Sequence, residues 1–435
     1  MIDVSVHWSE ITGAVKPMHG VGQPPFAGMD FSMFHYLTEA GIPFSRLHDV
    51  GGMFGGGVFV DIPNLFRDFS ADPACPASYD FAFTDRLLCA LVKAGIEPFF
   101  RLGVTIENHI DVRQYRLLPP ADFQKWARIC EGVIRHYNEG WADGYRMGIR
   151  YWEIWNEPDN APDNAENQMW WGTAEEYFRL YDVTAKHLKS CFPELKIGGF
   201  ASCGFYGILE KESSPGAACS PRTQYFLDFF DDFLAYIREH GSPMDFFSWH
   251  SYGSIRDTMQ YAAYARKKLD EAGYANVEHT CNEWNCEPNG RGTLRHAANI
   301  AGMLLAMQDS SLASAMFYDA RLGVSVYGGL FHPMTRRPLP AYYAFVAFNE
   351  LYKRKNAVRV DCRSEGECYA CAAVDENGTG ALMLANPTDT AQPLSLHLGE
   401  KAVRSVKTIT EGHVWEDTTL PETLGAYTTL LIFAE

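Results

Sequence analysis

The chain lacks long hydrophobic runs, an excess of positive charge and a cysteine framework, and each absence removes a class of function. No stretch of its 435 residues approaches the roughly 20 apolar positions in a row that a membrane helix needs. Lysine and arginine total 37 against 54 acidic residues, and the formal charge of −17 argues against nucleic acid or an anionic membrane as the main partner. The eleven cysteines are scattered. Cys368 and Cys371 form one CxxC, but no second pair answers it, and in a strand that spacing sends the thiols to opposite faces. Structural zinc is therefore not expected, nor any other metal or cofactor. Met1 leads directly into IDVSVHWSE, without the basic and apolar regions of a secretory signal, so reduced thiols and a cytoplasmic location are the expectation.

What is present is a soluble composition, 47% hydrophobic and 21% charged, long enough for one large domain and a smaller one. Short apolar runs alternate with helical periodicity: PMHGVG (17–22), PFSRLHD (43–49), EPFFRLG (97–103), YWEIWNE (151–157), KIGGFAS (196–202), DFFSWHSYG (245–253), HTCNEW (279–284) and SAMFYDA (314–320). Eight strands, each followed by a helix such as FTDRLLCALVKAG or LPAYYAFVAFNELYKR, are the count of a TIM (β/α)8 barrel. The rival is an open doubly wound sheet, and eight consecutive units favour closure. From about residue 356 to 435 the texture changes to short alternating strands, with Asn377-Gly378 as a hairpin turn. This predicts a β-sandwich domain, joined by strands from residues 1–16, beside a catalytic barrel over 17–355.

The stretch EIWNEPD raises a functional question. Glu157 lies between Asn156 and Pro158 at a strand end, where an unpaired carboxylate is costly to bury and Pro stops the ladder. Barrel enzymes take their chemistry from these strand ends. Strict alternation places Glu153, Trp155 and Glu157 on one face of the fourth strand, and His279, Cys281 and Glu283 on one face of the seventh. It also turns Arg46 and His48 of the second strand, and His250 and Tyr252 of the sixth, toward the same mouth. Two carboxylates facing each other across a cleft are what glycoside hydrolysis requires, one protonated to assist the leaving oxygen and one ionised to attack the anomeric carbon. Parity also lets Arg46 hold Glu283 ionised, while Glu153 reads as a structural partner lower down.

EIWNEPD, followed by QMWWGTAEEYFRLYDVTAKHLK and KIGGFAS, resembles the clan A glycoside hydrolases and most closely family 39, which includes β-xylosidases and α-L-iduronidases. FSRLHD, WHSY, NEW and PAYYAF fit the same pattern in order, and the likeness covers about residues 17–350. The resemblance implies a retaining exo-glycosidase of the β-xylosidase kind with Glu157 as acid/base and Glu283 as nucleophile. It implies that Asn156 binds the sugar 2-hydroxyl, that His48 lies beside the reacting sugar, and that His250 and Tyr252 frame the nucleophile. Trp284 of NEW is counted among the substrate-binding residues. Strand eight departs from the pattern: FYDARLG has no Trp, and Arg321 could bind a substrate carboxylate or pair with Asp319. The long loop 203–223 is a candidate for specificity, and Trp170 and Trp171 could stack on a sugar or pack their loop. Other sugars, transglycosylation and a non-catalytic carbohydrate-binding barrel stay open as alternatives, as does a homo-oligomer.

Overall fold

The computed structural model describes the chain apart from residues 27–29, 51–58, 106–116, 214–218, 288–289 and 323–326. The first strand, β1 (Ile2–Ala14), belongs to the terminal sheet. Eight strands then follow: β2 (Gly20–Gly22), β3 (Phe44–Leu47), β4 (Glu97–Leu102), β5 (Tyr151–Ile154), β6 (Lys196–Ser202), β7 (Phe246–Ser251), β8 (Glu278–Trp284) and β9 (Ser314–Phe317). They pair in parallel in sequence order, and β2 meets β9 through Gly20 and Met316 to close the barrel. All eight coincide with the runs read as strands, β8 starting one residue early at Glu278, and closure excludes the open sheet. Helices follow each strand, from Phe34–Glu39 after β2 to Pro340–Arg354 after β9. Their starts are chemically marked. Thr173 and Glu176 form a reciprocal capping box at Ala174–Cys191, and Ser254 and Asp257 form another at Ile255–Glu271. Among the described residues no helix is long and apolar enough to cross a membrane.

The barrel interior is layered. Phe44, Phe99, Phe246 and Met316, with Tyr151 against them, make an apolar plug at its lower end. Two positions further along the strands the inward residues turn polar: Arg46, Arg101, Glu153 and Ser248, all buried. The apolar plug thus forms the floor on which a buried polar layer stands.

After the barrel come β10 (Asn356–Ser364), β11 (Tyr369–Val374), β12 (Gly380–Asn386), β13 (Gln392–His397), β14 (Val403–Thr410), β15 (His413–Thr418), β16 (Thr423–Leu424) and β17 (Thr428–Ala434). With β1 they form one nine-stranded sheet, β1 lying antiparallel to β10 and parallel to β13. The Asn377-Gly378 turn links β11 to β12, with Gly378 at a φ of 79°. The sandwich expected from the alternation is realised as a single sheet curled on its own core. Leu382 and Leu384 of β12 pack inward with Ile2, Val4, Leu430 and Ile432. Ala381, Met383 and Ala385, on the other face, join the barrel's core.

Candidate active site

Two departures from regular strand geometry at the mouth of the barrel aim the side chains of the site. Regular structure in β5 ends at Ile154, and Trp155 takes a φ of 71°. Its indole turns outward against Trp126 and Trp170, at ring distances of 6.0 and 5.1 Å, and donates to the Met169 carbonyl at 2.8 Å. Trp155 therefore does not share the face of Glu153, as strict alternation predicts. Gly103 at the end of β4 permits this turn, because a Cβ there would lie 3.0 Å from the Trp155 Cα. Glu157 also adopts a left-handed φ, 45°, and its N–H bonds the Ala201 carbonyl at 3.0 Å. Non-glycine residues held this way cost about 1–3 kcal/mol each and collect at functional sites. The result is that Asn156 points into the barrel, where unbroken alternation would turn it outward.

The second departure is in β8. Trp249 pairs with Cys281 but His250 pairs with Glu283, so Asn282 is an extra residue in the ladder. Such a bulge re-aims the residue that follows it. Below it, Cys281 packs into the outer core, and His279 lies beside Trp249 and contacts Ser311 at 2.9 Å. Asn282 points inward and donates to Glu153. Glu283 then turns in above it. The shared face predicted for His279, Cys281 and Glu283 is thus corrected by one inserted residue, which also sends Trp284 outward. That indole is fully buried against Phe317 at 5.3 Å, away from the group at the mouth.

Arg46, 1% exposed, organises the floor of the site. Its guanidinium donates to Glu153 Oε2 at 2.8 Å, to Glu283 Oε2 at 2.9 Å and to Asn156 Oδ1 at 2.5 Å. Burial alone would lower its pKa, but Glu153 and Glu283 outweigh that and hold it charged. Above it, Glu157 Oε1 lies 2.7 Å from His250 Nδ1, and its Oε2 accepts from Asn160 at 3.0 Å. The same His250 nitrogen is 3.7 Å from Glu283 Oε1, which accepts from the Tyr252 phenol at 2.6 Å. One carboxylate oxygen from each glutamate and the His250 nitrogen all lie within 4.8 Å of one another. That spacing would admit a cation, but the carboxylate oxygens are already engaged by Arg46, Tyr252, His250 and Asn160.

These contacts set the charge states. Burial pushes the Glu157 carboxyl up, yet the His250 hydrogen bond and charge outweigh it and leave its pKa below the ordinary value. His250 is the mirror case: burial lowers it, but Glu283 and Glu157 together raise it. The pair therefore rests as imidazolium and carboxylate, sharing one proton. Burial and the Glu283 charge keep Tyr252 a protonated donor. Burial, with Arg46 and Arg101 nearby, pushes His48 well below its usual range and keeps it neutral. Its Nε2 lies 3.1 Å from Asp49, whose other oxygen accepts from Tyr318 at 2.7 Å, while His48 Nδ1 and His250 Nε2 are buried without a partner among the described residues.

Arg321 pairs with buried Asp319 at 2.8 Å, the second of the two roles its position allows. Trp170 is buried and donates to Thr173, and half-buried Trp171 donates to Asn167, so both brace the loop. Three residues near the site were not singled out from the sequence. Arg101 shares the inward parity of Arg46 and is held by Asp61 at 2.6 Å, a signal the alternation of EPFFRLG carries. Tyr318 follows inward Met316 by two positions, a signal the alternation of SAMFYDA carries, whereas Asn160 carries none because turn geometry alone brings it in.

A closed eight-stranded barrel with two glutamates converging at its C-terminal mouth has the architecture of a barrel glycosidase. Residues 51–279 match the model of glycosyl hydrolases family 39, more than half of the chain, and the chain belongs to that family of glycoside hydrolases. Over 374 residues it is 26% identical to a β-xylosidase from Geobacillus stearothermophilus, covering 75% of this chain and 68% of that one. A β-xylosidase from Caldicellulosiruptor saccharolyticus is 24% identical over 356 residues, covering 73% and 65%. The matches thus span about two-thirds of each relative's length. Among solved structures, a glucosidase from Croceicoccus marinus superposes with a TM-score of 0.78 at 21% identity, covering 100% of this chain and 99% of that one. A family 39 β-xylosidase from Caulobacter crescentus superposes with 0.68 at 18% identity, covering 99% of each chain.

Proposed function

We propose that the protein is a retaining exo-glycosidase that releases a terminal β-xylosyl residue, with Glu283 as nucleophile and Glu157 as acid/base. The observation that carries this is that one oxygen of each carboxylate lies within 4.8 Å of the other. Retaining enzymes hold their carboxyl groups about 5–5.5 Å apart, and inverting ones need about 6.5–9.5 Å to admit a water. In the first step Glu283 attacks the anomeric carbon, the glycosidic C–O bond breaks, and the proton held by the Glu157–His250 pair passes through Glu157 to the leaving oxygen. In the second, water attacks the same carbon and gives its proton to Glu157, and the bond to Glu283 breaks. Arg46 and Tyr252, each donating to one Glu283 oxygen, hold the nucleophile in line. Asn156 would meet the sugar 2-hydroxyl, and the free nitrogens of His48 and His250 suit other hydroxyls. The xylosyl preference rests on the names of the two relatives above.

The test is release of nitrophenol from a panel of β-xyloside, β-glucoside, β-galactoside, α-L-arabinosides and α-L-iduronide, with the first-formed anomer read by NMR. A β-xyloside hit with the β-anomer formed first is expected. Release of the α-anomer first would exclude the double displacement, and turnover of another sugar alone would replace the xylosyl assignment.

A further inference from the structure

The sequence NEPDN folds back on itself. Pro158 takes the second place of a four-residue turn, and the Asn160 N–H closes it on the Glu157 carbonyl at 3.1 Å. This brings the Asn160 side chain under the Glu157 carboxyl, where its amide donates to Oε2 at 3.0 Å and lies 3.7 Å from Cys203 Sγ. From the other side, Arg222 at the start of the helix Pro221–His240 donates to the Asn160 carbonyl at 2.8 Å. Asn160 is 8% exposed, so the grip is sheltered from water. The titratable groups around Glu157 are His250 and Tyr252 from β7 and its end, Cys203 and Tyr206 beyond β6, Asp159 in the same turn, and Glu283 across the site. Asn160 is a neutral donor that does not titrate, and the protonated Cys203 thiol lies beside it. With His250 on one oxygen and Asn160 on the other, the carboxyl has both oxygens held and cannot rotate without breaking a bond.

Resting on the reading of Glu157 as acid/base, we propose that Asn160, anchored by Arg222, is the positioning residue that aims the Glu157 carboxyl at the leaving oxygen. This gives Arg222 a part in catalysis without contact with the sugar. An amide suits the task because it donates at every pH, whereas a carboxylate of the same size cannot donate.

The experiment compares kcat/KM on methyl and 2,4-dinitrophenyl β-xylosides, because the dinitrophenolate leaves without a proton and the methoxide does not. Asn160→Ala and Asn160→Asp should each lose roughly tenfold or more on the methyl xyloside, as expected for a hydrogen bond to a charged group, and far less on the dinitrophenyl xyloside. Equal loss on both substrates, or none on either, would overturn the proposal. Glu157→Ala, run in parallel, separates the two readings: if it too shows no dependence on leaving group, the acid/base assignment itself fails. A second readout needs no turnover. Infrared difference spectra, with Glu157→Gln as blank, should show more protonated Glu157 at a given pH in Asn160→Ala, since a donor to the carboxylate is gone. An unchanged band would count against the hydrogen bond and the proposal with it.

Discussion

Tyr252 donates its phenolic proton to Glu283 Oε1 across 2.6 Å, while Arg46 donates to the other oxygen of the same carboxylate at 2.9 Å. Each donor fixes one edge of the carboxylate, and the two are not equivalent. The guanidinium also belongs to the buried floor, whereas the phenol serves Glu283 directly. Substitution of Tyr252 by Phe should therefore leave the fold intact and slow the step in which Glu283 departs as a carboxylate. A loss of roughly ten- to hundredfold in kcat is expected for a hydrogen bond to a charged group. Mass spectrometry during turnover of an activated glycoside should show the covalent glycosyl-enzyme accumulating. An unmodified enzyme with normal kcat would mean that Arg46 alone suffices.

Removing Glu283 removes the nucleophile but leaves the acid/base pair in place. Glu283→Ala should be inactive, with the cavity open to a small anion, and azide should restore part of the turnover as a glycosyl azide of inverted configuration. A variant with near-normal activity and no azide dependence would exclude Glu283 as nucleophile.

The proton for the first step is held by the Glu157–His250 pair. Burial would lower His250, but Glu283 and Glu157 raise it above the ordinary 6.5. The pair thus keeps its proton below that raised value and loses it as pH climbs through it, so kcat/KM should fall in a basic limb lying above 6.5. Glu157→Gln cannot take part in this exchange, and on a dinitrophenyl glycoside its profile should show no such limb. Persistence of the limb in that variant would assign it to another group.

Among the described residues Arg46 is the one cation bridging Glu153 and Glu283, all three nearly inaccessible to water. Arg46→Met would strand both buried carboxylates from the guanidinium, leaving Glu283 only the His250 imidazolium at 3.7 Å and Glu153 no ion-pair partner among the described residues. A stability loss of about 3–5 kcal/mol is expected for a broken buried pair, read by urea unfolding at pH 7. Arg46→Met combined with Glu153→Gln should recover part of it, since one of the stranded charges is then gone. If the double variant is no more stable than the single one, Glu153 is not the charge that Arg46 neutralises.

These residues differ in how far the sequence alone revealed them. The eight strands were legible because buried parallel strands read as apolar runs bounded by helical segments, and Arg46, His250 and Tyr252 followed from simple alternation. Alternation failed at two positions. Trp155 turns out and Asn156 turns in because the chain enters the left-handed region, and Glu283 turns in because a bulge inserts Asn282. Neither a positive φ at a tryptophan nor a bulge without glycine has a compositional mark. Parity and the motif resemblance both turned Glu157 and Glu283 toward the mouth, but parity put Trp155, His279 and Cys281 on the wrong face, and Asn156 came from the resemblance alone. Trp284 shows the converse: standing next to Glu283 in NEW, it points into the core precisely one residue out of step with the site.

Asp159 offers a test of the turn that carries Glu157. Its carboxyl is fully buried, accepts from Ser202 at 2.7 Å and from the Cys203 N–H at 3.2 Å, and ties the turn to the end of β6. Burial, aided by the nearby Glu157 charge, raises its pKa from 3.8 to about 7. A carboxyl raised on folding binds its proton more tightly in the native state than in the unfolded chain. Its contribution to stability is thus complete below about pH 4 and is lost as pH rises to about 7, with a slope of at most about 1.4 kcal/mol per pH unit. Carboxyls lowered on folding, such as Glu131 beside Arg135, act in the opposite sense, so the difference between proteins is the informative quantity. Asn at this position keeps a carbonyl for Ser202 and Cys203 and cannot titrate. Stability of Asp159→Asn relative to the parent, from urea unfolding at intervals between pH 4 and 8, should therefore rise with pH and level off near 7. A flat difference across that range would mean that Asp159 is ionised throughout and that the turn is held by a carboxylate.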